Sequence, residues 1–326
     1  MLLLLPLLQS IFKLHKEDEL DGAYKNKHAD APQWNFADFI EGRLQQQTTA
    51  YWNARMGFKQ TLIRINNQLN YSILNQTKAQ DVIIGKGGML FPEQYIKSFL
   101  GTDFIGSDSI VHFLNKTKEV QDALAEKNKY LFLLINPGKA SVYQENIPEK
   151  YYELFPQDTT NYDVLIREVE KREVNYLDLR NYVLEQKEYF GYQAFPTFGL
   201  HWSGNTVAHV SKKLLEYISN STKFRFPKIK LLEGEKTIKD YRYTDYDIAK
   251  AMNLLWHVSD ETLHYPRIEY THLQKKKPTL LGIGDSFIQS FYGFYPILDS
   301  AFSAESQIWY YNKMLDWPKE KAKNGV

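Results

Sequence analysis

The run Tyr130–Ile135, YLFLLI, narrows more than any other feature what this chain can become. An unbroken apolar stretch stopped by Asn136-Pro137-Gly138 has no polar face, so it is buried on both sides, as strands of a parallel sheet covered by helices are. A second such stretch, Thr279–Ile283 (TLLGI), runs straight into Gly284-Asp285-Ser286-Phe287. Shorter strand signals lie at Asp81–Ile84, ended by Gly85-Lys86-Gly87-Gly88, at Val174–Leu177 and at Gln307–Tyr311, with a weaker one at Ile268–His272. Helical patterns fall between them: Ser107 or Asp108 to Lys127, Asn161–Lys171, Arg180–Lys187 and Ser203–Ser219. A further one is Thr244–Trp256, where Thr244 and Asp247 have capping-box spacing. The alternation predicts an α/β fold with a mostly parallel, doubly wound sheet. Ser219–Tyr243, whose basic residues are interspersed with Glu233, Glu235 and Asp240, reads as a solvated loop. Upstream, Phe39, Leu44, Tyr51, Phe58, Leu62, Ile65 and Leu69 recur at helical spacing and predict long amphipathic helices.

The expected organisation is a leader at 1–14, a helical N-terminal extension at 15–80 and one α/β domain at 81–326. The leader, MLLLLPLLQSIFKL, reads as the apolar end of an export signal or as a membrane anchor, with a docked amphipathic helix as the alternative. It is shorter than the roughly 20 apolar residues that a spanning helix needs. Forty basic against 39 acidic residues give a net charge of +1, so no global field draws the chain to nucleic acid. The chain has no cysteine, which removes disulfides, thiolate metal sites and a cysteine nucleophile. No metal motif is visible, and Gly85, Gly87 and Gly88 lack the spacing of a phosphate loop, so no cofactor is expected. The 23 Tyr and 6 Trp offer flat faces with polar tips that suit sugar rings as well as a core.

A serine where an apolar strand passes into a helix sits at the carboxyl edge of the sheet, where open α/β folds bind their ligands and helix N–H groups face an oxyanion. Ser286 has that place, and Gly-Asp-Ser is equally a turn with a helix cap. A serine nucleophile needs a base. Of eight histidines, His15 and His28 lie in the charged N-terminal segment, His112, His209 and His257 lie within predicted helices, and His264 and His272 flank the weak strand. His201, in Phe198-Gly199-Leu200-His201-Trp202-Ser203, stands at a loop-to-helix boundary where a base can reach out.

These pieces, in this order, resemble the alginate O-acetyltransferase group of SGNH hydrolase-like proteins, also called the DHHW family. The resemblance rests on the Tyr51–Gly57 region, on Val82–Phe91 (VIIGKGGMLF), on Pro137 and Lys139 with Tyr143 after the strand ending at Ile135, on His201-Trp202 and on Gly284-Asp285-Ser286-Phe287. It implies a serine nucleophile at Ser286 and a histidine base at His201, acting in O-acetyl transfer to an exported polysaccharide. It also implies an acetyl donor delivered by a membrane-bound O-acyltransferase partner and a periplasmic or extracytoplasmic location. The family's orienting acid stands two residues before the histidine, where this chain has Gly199. Either another acid reaches His201, or a Ser-His dyad suffices, or the site is degenerate. Asp178 is a candidate substitute, whereas Asp285, beside the nucleophile, is expected to shape the turn. Tyr292 matches a tyrosine that in the family lies near the nucleophile, and the Ser286 backbone N–H with Asn312 or Tyr311 would hold an oxyanion. Two alternatives share the residues: an acetyl esterase using the same site, and a non-catalytic glycan-binding scaffold, which Gly199 would explain.

Overall fold

The structure is a computed structural model that describes residues 4–22, 29–155, 158–259, 261–271 and 276–315. His28, His272, Lys275 and the first three residues of the apolar N-terminus lie outside the described residues.

The chain divides into two compact units, one of Met1–Gln80 with Ile248–Val258 and one of Asp81–Asp247 with Ser259–Val326. The first unit is helical: α1 (Leu5–Phe12), α2 (Phe36–Ile40), α3 (Arg43–Arg55) and α4 (Lys59–Leu74). Asn35 caps α2 by accepting from Ala37 N and Asp38 N, and no residue of α3 is buried. Asn67 of α4 is buried and donates to Met252 O at 2.8 Å, and Asp21 N donates to Asn253 Oδ1 at 2.7 Å. Among the described residues no helix is long and apolar enough to cross a membrane.

The second unit opens with β1 (Val82–Ile84) and β2 (Leu90–Pro92), an antiparallel pair around the Gly85–Gly88 turn, followed by α5 (Glu93–Phe99) and α6 (Ser107–Ala125). The YLFLLI run supplies β3 (Leu133–Ile135) and ends at a turn into α7 (Lys139–Val142) and α8 (Glu149–Leu154). Then come α9 (Asn161–Val169), β4 (Tyr176–Asp178) and α10 (Leu179–Gln186). A capping box starts α9, with Thr160 N donating to Asp163 Oδ2 and Asp163 N to Thr160 Oγ1. β3 and β4 pair in parallel.

Helix α11 (Gly204–Ser221) is the central helix of the main core. Ser203 caps it, and Val207, Ala208, Val210, Leu214 and Leu215 are buried along one side. The segment expected to be a solvated loop holds a ten-residue strand, β5 (Lys228–Thr237). After the short α12 (Asp247–Ala251), β5 pairs antiparallel with β6 (Leu263–Thr271), with an irregularity between Leu232 and Glu235. Its exposed positions carry Lys and Glu, so charge conceals a strand that buries Ile229. Gly234 sits within that irregularity, and a Cβ there would lie 1.9 Å from the Tyr265 carbonyl oxygen.

The last segment builds β7 (Leu281–Gly284), α13 (Ser290–Gly293), α14 (Ile297–Ala301), β8 (Gln307–Tyr310) and β9 (Lys313–Leu315). β7 and β8 are parallel, and β9 turns back antiparallel on β8. Parallel pairs with helical crossovers fit the expected α/β class. The parallel strands stand as two pairs, β3–β4 and β7–β8, and the long ribbon β5–β6 is antiparallel.

Candidate active site

β7 delivers the serine. Its apolar residues end at Gly284, and Asp285 turns the chain by accepting the Phe287 N–H at 2.9 Å, which starts a 3₁₀ turn at Ser286–Gln289. Phe287 is buried against Phe195, His201 and Trp202, so the turn is fixed from beneath. With the Phe287 N–H taken by Asp285, the Ser286 N–H is the backbone donor beside the Ser286 hydroxyl.

The histidine arrives from the loop before α11. His201 is 6 % exposed, and its Nε2 lies 2.8 Å from Ser286 Oγ. Its Nδ1 lies 2.9 Å from Asp247 Oδ2, while the other oxygen of that carboxylate accepts the Leu200 N–H at 2.7 Å. Asp247 therefore fixes both the ring and the backbone that carries it. A carboxylate on Nδ1 places the proton there, which leaves Nε2 free to accept from the hydroxyl.

Asp247 was missing from the sequence-derived candidates, which placed it in a capping box with Thr244. That box is not formed: Thr244 Oγ1 is buried with no hydrogen-bond partner, and the helix begins at Asp247 and ends at Ala251. The segment carrying Asp247 is held by its neighbour Asp245, a fully buried carboxyl that accepts from Tyr265 Oη at 2.7 Å and from Gly204 N at 3.4 Å. Burial raises the Asp245 pKa well above the ordinary carboxylate value. The same segment explains Gly199. A Cβ on Gly199 would stand 3.0 Å from the carbonyl oxygens of both Thr244 and Asp245, so a carboxylate on that side chain would be driven against two acceptors. The turn that fills the place of the family's acid brings an acid of its own.

Asp178 is not that acid. It caps α10 by accepting from Asn181 N at 2.9 Å and takes the Tyr162 hydroxyl at 2.6 Å. Trp202 is fully buried, edge-on to Phe287 and Phe291, and its Nε1 has no hydrogen-bond partner, so it supports the turn from the core. Tyr292 is likewise fully buried, in the main core on α13. Asn312 is exposed in the turn between β8 and β9, and Tyr311 beside it donates its N–H to Gly284 O at 2.9 Å. Asp285 shapes the turn, as expected.

Beside the triad, at the carboxyl ends of β3 and β7, opens a cavity of about 540 Å³. Its wall includes Tyr95, Phe113, Asn136, Tyr162, Arg180 and Asp285. The Arg180 guanidinium stacks 3.9 Å from the Tyr162 ring centre. Tyr95 faces the carboxylates of Asp285 and Asp247, and burial together with those charges raises its pKa. Among the described residues no cluster of His, Asp and Glu could hold a metal ion.

A family model described as an SGNH hydrolase-like domain of acetyltransferase AlgX matches residues 82–312. Among solved structures, the chain is similar to the O-acetyltransferase domain of Pseudomonas putida AlgJ, at 19% identity over 71% of this chain and 78% of that one, with TM-score 0.46. It is similar to Pseudomonas aeruginosa AlgX at 15% identity over 70% of this chain and 54% of that one, TM-score 0.46. It is also similar to Bacillus cereus PatB1 at 11% identity over 68% and 87%, TM-score 0.43. No curated protein matches the chain. With most of its length matched, the chain belongs to the SGNH hydrolase-like acetyltransferase family of AlgX.

Proposed function

We propose that the protein is an exported serine O-acetyltransferase that acetylates hydroxyl groups of a cell-surface or secreted polysaccharide through an acetyl-Ser286 intermediate. The observation that carries this reading is the continuous relay Ser286 Oγ–His201–Asp247, at 2.8 and 2.9 Å.

In the first half-reaction His201 Nε2 takes the Ser286 proton as Oγ attacks the acetyl carbonyl. The developing oxyanion is held by the Ser286 N–H, and Asp247 stabilises the imidazolium. Collapse breaks the bond to the donor's leaving group, which takes the proton from His201 and departs. In the second half-reaction a sugar hydroxyl gives its proton to His201 and attacks acetyl-Ser286. Collapse then releases the O-acetyl sugar and returns the proton to Ser286 Oγ. Water in place of the sugar would give an esterase, and the aromatic cavity beside the triad favours a positioned acceptor. The scaffold alternative rested on the missing acid at Gly199, and Asp247 removes that ground. The membrane-bound donor partner and the extracytoplasmic location belong to the same proposal.

The test is intact mass of the protein after exposure to p-nitrophenyl acetate. Wild type is expected to gain one acetyl group that maps to Ser286, and neither Ser286→Ala nor His201→Ala to gain it. Loss of a serine or histidine of this kind costs about 10⁶ in rate. A folded wild type that gains no acetyl group would overturn the reading.

A further inference from the structure

Lys139, the first residue of α7, carries an ammonium that is 0 % exposed. Its Nζ donates to three carbonyl oxygens of a single loop: Pro196 at 2.6 Å, Thr197 at 2.9 Å and Gly199 at 2.9 Å. An ammonium has three donors, and here all of them are spent on the loop that ends in His201.

That loop has no regular secondary structure, so other groups must satisfy its backbone. Ala194 N donates to Tyr143 Oη at 2.8 Å, Thr197 N to Glu261 Oε2 at 2.8 Å, and Leu200 N to Asp247 Oδ1 at 2.7 Å. Thr197 O also accepts from Leu90 N at 2.9 Å. Of these holds, only the Lys139 ammonium grips the loop at three points, residues 196, 197 and 199. The groups facing Lys139 are the three carbonyls, the Phe91 ring at 5.6 Å and the nearby carboxylates of Glu261 and Asp247.

We propose that Lys139 is a positioning residue of the site, whose ammonium locks the 196–199 loop so that His201 meets Ser286 and Asp247 at once. The proposal rests on the reading of Ser286 as nucleophile and His201 as its base. Removing the ammonium takes the Lys139 donor from Gly199 O and leaves Pro196 O and Thr197 O with the Gly199 and Leu90 N–H groups, and the loop then shifts to satisfy the buried Gly199 carbonyl. A displacement of about 1 Å at a reacting group costs on the order of 100-fold in rate. Burial pulls the Lys139 pKa down to about 7, opposed by Glu261 and Asp247. Above that pH the neutral amine has two N–H donors for three carbonyls. The unfolded chain keeps the proton up to the ordinary value of 10.5, so this residue's contribution to stability rises from pH 7 upward. Function and stability thus change in opposite directions over one pH window, which general loosening of the fold would not produce.

The experiment uses phenylmethylsulfonyl fluoride, read by intact mass. Ser286 Oγ bonds to sulfur, fluoride leaves, and the serine proton passes through His201 to solvent. Lys139→Met keeps the length of the side chain without its charge. Folded, it is expected to react about 100-fold more slowly than wild type at saturating probe, with half-saturation changed less than threefold. The wild-type rate is expected to fall between pH 7 and 9 while the Lys139 contribution to its thermal midpoint rises. A folded Lys139→Met that reacts within threefold of wild type overturns the proposal. If that variant does not fold, the wild-type profile decides alone, and a rate that keeps rising to pH 9 overturns it. A wild type that takes no sulfonyl group at any pH overturns the nucleophile assignment itself, which separates the two failures.

Discussion

The serine side and the histidine side of the site are built in different ways. Ser286 is placed by its own neighbourhood: strand β7 ends, Asp285 caps the turn two residues on, and Phe287 plugs the core. His201 is placed from far along the chain, by Asp247, which is 46 residues away, and by Lys139, whose contacts are 57 to 60 residues away. A short-range turn needs the right residue types in order. A long-range clamp needs only that distant segments meet, and nothing in local spacing announces it.

The strongest way to break this contrast is at Asp247. Asparagine there would keep the Leu200 bond through its carbonyl but turn an amide N–H toward His201 Nδ1. That forces the ring proton onto Nε2, where it faces Ser286 Oγ and cannot accept its proton. Asp247→Asn is expected to lower the acetylation rate by about 10⁴, the cost of the equivalent change in serine proteases, with little loss of thermal stability. A folded variant within tenfold of wild type would mean that the serine and histidine act as a dyad.

A smaller effect is expected where the chain departs from its family. Gly199→Asp restores the family's local acid, yet a Cβ there already meets two carbonyl oxygens at 3.0 Å. The side chain would push the 244–247 segment away and carry Asp247 off His201. Overpacking of this kind costs about 1–3 kcal/mol. The expected outcome is a lower thermal midpoint together with slower acetylation. If Gly199→Asp instead rescues Asp247→Asn, the acid can be supplied from either place, and the contrast between the two sides weakens.

What could be read from the residues follows the same division. The strand into Gly-Asp-Ser, the helix over most of Ser203–Ser219 and the parallel strand within YLFLLI are local patterns, and β7, α11 and β3 lie within a few residues of them. β5 was invisible because its exposed positions, Lys228, Lys230, Glu233, Glu235 and Lys236, are all charged, which imitates a solvated loop, and only pairing with β6 gives it a reason to be straight. Asp247 was misread for the opposite cause. Thr244 and Asp247 have the spacing of a capping box, a local pattern strong enough to hide a partner in another segment. The one available signal was negative: a glycine where the resemblance called for an acid left a substitute acid, a Ser-His dyad and a degenerate site all open. Residue types alone offered Asp178 as readily as Asp247.

Asp178 therefore gives the smallest and sharpest test. Its carboxylate is occupied by the Asn181 N–H and the Tyr162 hydroxyl, both of them local to α9 and α10. Asp178→Ala removes a helix cap, which costs about 1 kcal/mol, and frees Tyr162 beside the cavity. The thermal midpoint is expected to fall by a few degrees, while the rate of Ser286 acetylation by a small ester stays within twofold of wild type. Tyr162 lines the cavity and the triad does not depend on it, so a polysaccharide acceptor is expected to lose more than the small ester does. An equal loss with both would tie Asp178 to the histidine side after all.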